Sequence, residues 1–185
     1  MPRKNADTTR ELHLLLRARR AQLGLTQEML AKATDLSRGG IALLEREHAK
    51  KNPRLSTLDS LAHALRLDVR DLFSAANAQR HRISTQQALV RIACNVYRIR
   101  TEKGISQERL SVGARLFRTF ATDLETLKKE PSVTSLERIA AQLEVSVVDL
   151  LEPVPNRQYV GRLARRSWSA DQAAHGFETD AHEPT

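Results

Sequence analysis

This chain contains the same stretch twice, and few folds can accommodate that. Residues 16–30, centred on Gly24-Leu25-Thr26-Gln27-Glu28, return about 80 residues later as 96–110, centred on Gly104-Ile105-Ser106-Gln107-Glu108. Fixed-period self-similarity is the mark of one structural unit used repeatedly. Two copies of a helical unit with an excess of positive charge suit the gripping of a repeating polymer better than the housing of a single catalytic pocket.

The first copy is punctuated as a set of short helices. Thr8 with Glu11 reads as a capping box, and Leu12, Leu15, Leu16 and Leu23 follow as one apolar stripe, so a first helix is predicted over 9–23. Gly24 is placed to end it in a left-handed conformation, and Thr26 to cap a second helix that carries Met29, Leu30 and Ala33. Ser37 caps a third, with Ile41 and Leu44 facing inward. Pro53 breaks the connection; Ser56 with Asp59 is predicted to cap a fourth helix bearing Leu58, Leu61, Ala62 and Leu65, and Asp68 with Asp71 opens a fifth ending near Leu72 and Phe73. Five short helices in so few residues make a bundle and not a coiled coil.

The second copy repeats the punctuation. Gly104 matches Gly24, Ser106 matches Thr26, Gln107 matches Gln27, and Glu125 matches Glu45. After a two-residue shortening, Pro131 matches Pro53, Thr134 with Glu137 matches Ser56 with Asp59, Ser146 with Asp149 matches Asp68 with Asp71, and Leu150-Leu151 matches Leu72-Phe73. The expected fold class is therefore all-α, with two five-helix units at 9–75 and 88–152. The polar stretch 76–87 is a linker or a helix extension, and 153–185 is a polar tail with a basic segment, Arg162 to Arg166, near Trp168.

Composition narrows the function. No apolar run approaches the roughly 18 residues that span a bilayer, and the first residues lack the apolar block of a signal peptide, so a cytoplasmic location with no membrane contact is expected. Cys94 is the sole cysteine, lies among apolar residues and reads as a packed thiol; the six histidines have no metal-ligand spacing. With no phosphate-binding glycine loop and no nucleophile beside a base, neither enzyme activity nor a cofactor nor a metal is expected. The net charge of +8 is uneven: 15 basic against 9 acidic residues in 1–80, 11 against 9 in 81–152, and 4 against 4 beyond. Such an excess draws polyanions and makes their binding salt-dependent.

The segments Gly24 to Ala31 with Ser37 to Glu45, and Gly104 to Leu110 with Glu125, resemble the lambda-repressor-like helix-turn-helix domains of the Xre and Cro type, over about 9–75 and 88–152. The resemblance implies double-stranded DNA as partner, with the third helix of each unit in the major groove and the second crossing the phosphate backbone. Base-reading positions are then Arg38, Gly39, Ala42 and Leu43 in the first copy and Arg118, Thr119, Thr122 and Asp123 in the second. Arg38 is the strongest candidate, since a guanidinium donates two hydrogen bonds to guanine O6 and N7. Phosphate positions are Thr26, Gln27, Ser37, Lys50, Lys51 and Arg54, with Ser106, Gln107, Lys128 and Lys129 in the second copy. Related domains also pair the first helix with the end of the third, which implies structural ion pairs Arg20–Glu45 and Arg100–Glu125.

The second copy departs from the pattern where it would meet DNA. Phe117 stands in place of the capping Ser37, and Asp123 in place of Leu43. Either this copy reads a different half-site, or Phe117 and Phe120 have turned it into a protein-binding surface. The leading expectation is a sequence-specific transcription regulator, a repressor or autoregulator, open to a homodimer of four reading helices and to a protein antagonist or co-regulator. The alternative is a protein-interaction module such as an antitoxin or anti-activator.

Overall fold

Helix α1 (Thr8–Gln22) forms because Leu12 and Leu16 recur one turn apart and both bury, at 3% and 1% exposure, while the opposite face is charged. The computed structural model describes residues 8–47, 52–74 and 81–154, with backbone only for 8–11; the Thr8–Glu11 capping box, Lys50, Lys51, residues 75–80 and the tail beyond 154 lie outside the described residues. Gly24 ends the first turn region at φ +65°, a left-handed backbone that costs a β-carbon-bearing residue about 1–2 kcal/mol. The Thr26 hydroxyl then accepts the Met29 N–H at 3.1 Å and starts α2 (Gln27–Lys32).

Helix α2 buries Leu30 and Ala31, while Met29 and Ala33 are exposed. The reason is the length of the helix, since a two-turn rod can aim only its 30/31/34 edge at the core, and Thr34 satisfies its own buried hydroxyl by donating to Leu30 O at 2.8 Å. Ser37 accepts the Gly40 N–H at 3.0 Å and caps α3 (Arg38–Leu44), which buries Ile41 and Leu44. Helix α4 (Leu55–Ala64) and the 3-10 helix η1 (Val69–Phe73) close this half, the latter opened by a reciprocal Asp68–Asp71 capping box.

The second half follows the same order: α5 (Ala88–Glu102), α6 (Gln107–Gly113), α7 (Phe120–Glu125), α8 (Val133–Leu143) and α9 (Val147–Leu150). Left-handed residues recur at matching places, Gly24 with Gly104, Asp35 with Arg115 and Arg66 with Glu144. Among the described residues the structure is helical, its single extended pairing being an isolated antiparallel bridge between Arg54 and Ser132. The apolar core is continuous from Leu12 in α1 to Leu151 after α9, so the halves do not own separate interiors.

Two expectations about caps need correction. Ser56 and Thr134 do not cap α4 and α8; the cap positions are Arg54 and Ser132, and the first N–H groups of each helix are taken up by the other half of the chain. Leu55 N–H donates to Pro131 O and Val133 N–H to Pro53 O, each at 3.1 Å. Thr134 N–H donates to Asn52 Oδ1 at 3.0 Å, and Ser56 N–H to Glu130 Oε1. Asp59, freed from its own helix, accepts the Ala88 N–H at 3.2 Å at the start of α5. Exposed helix ends need such partners, and here the fold supplies them across the seam.

The stretch 81–87 is neither helix nor loose linker. Its Ser84 N–H donates to Asp68 at 2.9 Å, His81 N–H to Asp71 at 2.9 Å, and the Gln86 side chain exchanges two bonds with the Val154 backbone, at 3.0 and 2.9 Å. Val154, expected in the tail, packs on Val90, Ala93 and Cys94. Burial pushes the Cys94 thiol up to about 11, far from the thiolate form at neutral pH.

Candidate nucleic-acid interface

The helix that would meet a groove is α3, and its bearing is set by one buried carboxylate. Glu45, just past the end of α3, accepts from Arg20 Nε at 2.6 Å, from Arg20 Nη2 at 2.9 Å and from Gln27 Nε2 at 2.9 Å. Arg20 also donates to Leu25 O at 2.8 Å, so α1, the turn before α2, α2 itself and α3 are tied at a single point. Burial pushes the Glu45 carboxyl up, but the hydrogen bonds from Arg20 and Gln27 and the Arg20 charge outweigh it and hold the group below its ordinary value.

The same knot recurs with Arg100 Nε on Glu125 at 2.7 Å, Arg100 Nη2 on Glu125 at 3.0 Å, Gln107 Nε2 on Glu125 at 2.7 Å, and Arg100 Nη1 on Ile105 O at 2.9 Å. Gln27 and Gln107, singled out from sequence as phosphate ligands, thus spend an amide N–H on a carboxylate. Sequence reasoning missed this part of their role. The signal for it was present, since each glutamine stands eighteen positions before its glutamate.

On α3 the solvent side is open. Arg38, Gly39 and Leu43 are exposed and Ala42 is half-buried. Arg38 lines a cleft of about 460 Å³ with Arg20, Leu25, Thr26, Gln27 and Glu28, and no carboxylate among the described residues pairs with it. Thr26 and Ser37 use their hydroxyl oxygens as caps. Arg54 lies exposed at the start of α4, in the bridge to Ser132.

The matching surface of the second half is closed on itself. Arg118 Nη2 and Nε each lie 2.9 Å from Glu108 carboxylate oxygens. Thr119 Oγ1 donates to Asp123 Oδ2 at 3.1 Å, and Thr122 Oγ1 donates to Gln107 Oε1 at 3.0 Å. All four positions expected to read bases there are engaged with one another or with α6. Lys129 stands over the rings of Phe117 and Phe120, at 5.4 and 5.0 Å from their centres, while Lys128 is exposed and Ser106 caps α6 by accepting the Arg109 N–H at 3.1 Å.

Helix α7 also starts two residues later than α3 does. Phe117 has no side-chain oxygen to hold the first turn, so Phe120 N–H closes instead on Phe117 O at 2.8 Å and residues 117–119 form a turn. Ser111, a residue overlooked from sequence, compensates by accepting the Ala121 N–H at 2.9 Å from within the core. Phe117 remains 79% exposed.

Among the described residues no group of three or more His, Cys, Asp or Glu side chains is placed to hold a metal ion, and no helix is long and apolar enough to cross a membrane. Compared with known proteins, residues 16–72 match the helix-turn-helix family, a match that takes in α1 through η1 and stops before the second half. No curated protein and no solved structure matches the chain.

Proposed function

We propose that this chain is a sequence-specific double-stranded-DNA-binding transcription regulator, a repressor or autoregulator, made of two helix-turn-helix domains in tandem at 9–75 and 88–152. The observation that carries the reading is Arg38. It stands exposed at the first turn of α3, paired with no carboxylate among the described residues, within the segment that matches the helix-turn-helix family. A guanidinium so placed is available for a guanine edge, and the Glu45 knot fixes the angle at which α3 is offered. The concentration of positive charge in 1–80 supports the same assignment of the first unit as the main reader.

The test is a gel shift and footprint on the promoter of the chain's own gene, comparing wild type with Arg38→Ala at two salt concentrations. A protected site that weakens with salt, and whose specificity over competitor duplex falls in Arg38→Ala, is the expected result. Equal binding of the variant refutes the assignment of α3. A second reading applies to the second half alone, where the exposed ring of Phe117 offers a protein antagonist or co-regulator an apolar contact.

A further inference from the structure

The bonds between the two halves are symmetric. Pro53, Arg54 and Leu55 occupy in the first copy the places that Pro131, Ser132 and Val133 occupy in the second, and the bridge pairs Arg54 with Ser132 antiparallel, each flanking N–H reaching the opposite proline carbonyl at 3.1 Å. Asn52 and Glu130 are likewise equivalent, as are Ser56 and Thr134, and they form the two outer bonds: Thr134 N–H on Asn52, Ser56 N–H on Glu130. Exchanging the halves maps this set of four bonds onto itself, which is the property of a two-fold axis and of an isologous interface. The other equivalent pair in contact is η1 with α9; there the side chains depart from the symmetry, since the Arg70 guanidinium reaches Glu152, just past α9, at 2.8 Å, while the matching residues are Val148 and Ser74. A head-to-tail arrangement of the copies would instead join unlike positions.

We infer that one chain presents α3 and α7 to the two arms of an inverted repeat at a fixed separation, the internal seam doing the work that a dimer interface does between separate chains. The inference rests on the DNA-binding reading above. Operator symmetry follows protein symmetry in this mode of docking, so an intramolecular two-fold calls for an inverted and not a direct repeat. The repeat is imperfect, since Arg38 is open to bases while Arg118, Thr119, Thr122 and Asp123 are held by neighbours; sequence choice is concentrated in the α3 arm. The spacing is rigid because the halves share one core and because Arg91, 1% exposed, joins Asp68 at 3.1 Å, Leu151 O at 3.3 Å and Ser84 O at 3.1 Å.

The experiment is selection of the full-length chain on a pool of random DNA duplexes, followed by light scattering of the winning complex and a series of spacer insertions. Expected are an inverted repeat with one well-defined and one loose arm, one chain per duplex, and about a tenfold loss of affinity for one inserted base pair, which moves and rotates one arm by about 3.4 Å and a tenth of a turn. Enrichment of a direct repeat, two chains on each site, or indifference to the spacer overturns the inference and leaves the DNA-binding reading standing. Failure to enrich any duplex overturns that reading and the inference with it.

Discussion

Asp68 is where the two halves depend on one another most, and Asp68→Asn is the most informative single change. The carboxylate is 1% exposed and accepts from Arg70 Nε at 2.8 Å, Arg91 Nη1 at 3.1 Å, Ser84 N–H at 2.9 Å and Arg70 N–H at 3.1 Å. Burial alone pushes the group up; the Arg70 and Ser84 donors and the Arg91 charge outweigh it and bring the carboxyl from an ordinary 3.8 to about 2. A value lower in the folded chain than in the unfolded one means stability that is complete above about pH 4 and drains away as pH falls toward 2, a contribution of about 2.4 kcal/mol. Asparagine keeps the shape and can still accept the Arg70 N–H at the start of η1. It turns an N–H₂ toward donors, however, and leaves the buried Arg91 without its counter-charge, so the loss at pH 7 is expected to be about 3–5 kcal/mol. Urea unfolding at pH 7, 5, 3 and 2 reads both quantities. The gap between wild type and variant should hold from pH 7 to 5 and then close by about 2 kcal/mol as wild-type Asp68 takes up its proton. A gap below about 1 kcal/mol at pH 7, or one that does not narrow in acid, refutes the account of the seam.

Three further outcomes follow from the geometry. Arg38→Ala should cost about 1–3 kcal/mol against the preferred duplex and little against random duplex, whereas Arg118→Ala, whose guanidinium is already engaged by Glu108, should change specific affinity by less than about 0.5 kcal/mol; fluorescence anisotropy titration separates the two. Glu45→Ala leaves the half-buried Arg20 and Gln27 without their acceptor and should lower unfolding stability by about 3 kcal/mol, with Glu125→Ala behaving alike in the second half, both measured by denaturant midpoint. Asn52→Ala removes the bond that α8 receives from across the seam and should lower stability by about 1 kcal/mol in a thermal melt, although residue 52 lies more than seventy positions from that helix.

What could be read from the sequence was local. The caps at Thr26, Ser37, Ser106 and Ser146 and the left-handed Gly24 and Gly104 lie within three residues of the groups they serve, so the chain declares them at short range. The apolar stripe of α1 was visible for the same reason. The starts of α4 and α8 were not, because Glu130 and Asn52, which take up their Ser56 and Thr134 N–H groups, are local to the other copy, and Ser132, which caps α8 by accepting the Ser135 N–H, was passed over for Thr134. At Arg118 the sequence showed only part of the picture. Sequence spacing showed a cation at the expected place and could not show that the Glu108 side chain, ten residues earlier, pairs with it. Similarly, 81–87 read as a linker or a helix extension because its partners lie outside it, with Ser84 N–H donating to Asp68 and Gln86 O accepting from Arg91.

The bridge between Arg54 and Ser132 has one more consequence. Two free subunits part company when diluted, so the fraction assembled varies with how much protein a cell makes; partners on one polypeptide meet at an effective concentration that dilution leaves untouched. For the single-chain reader inferred above, occupancy of a target would track abundance with no threshold set by self-association. Mutations can then accumulate on one face while its twin stays as it was, a freedom unavailable to a pair of identical chains, and the copies differ in this way where Phe117 stands opposite Ser37 and Asp123 opposite Leu43.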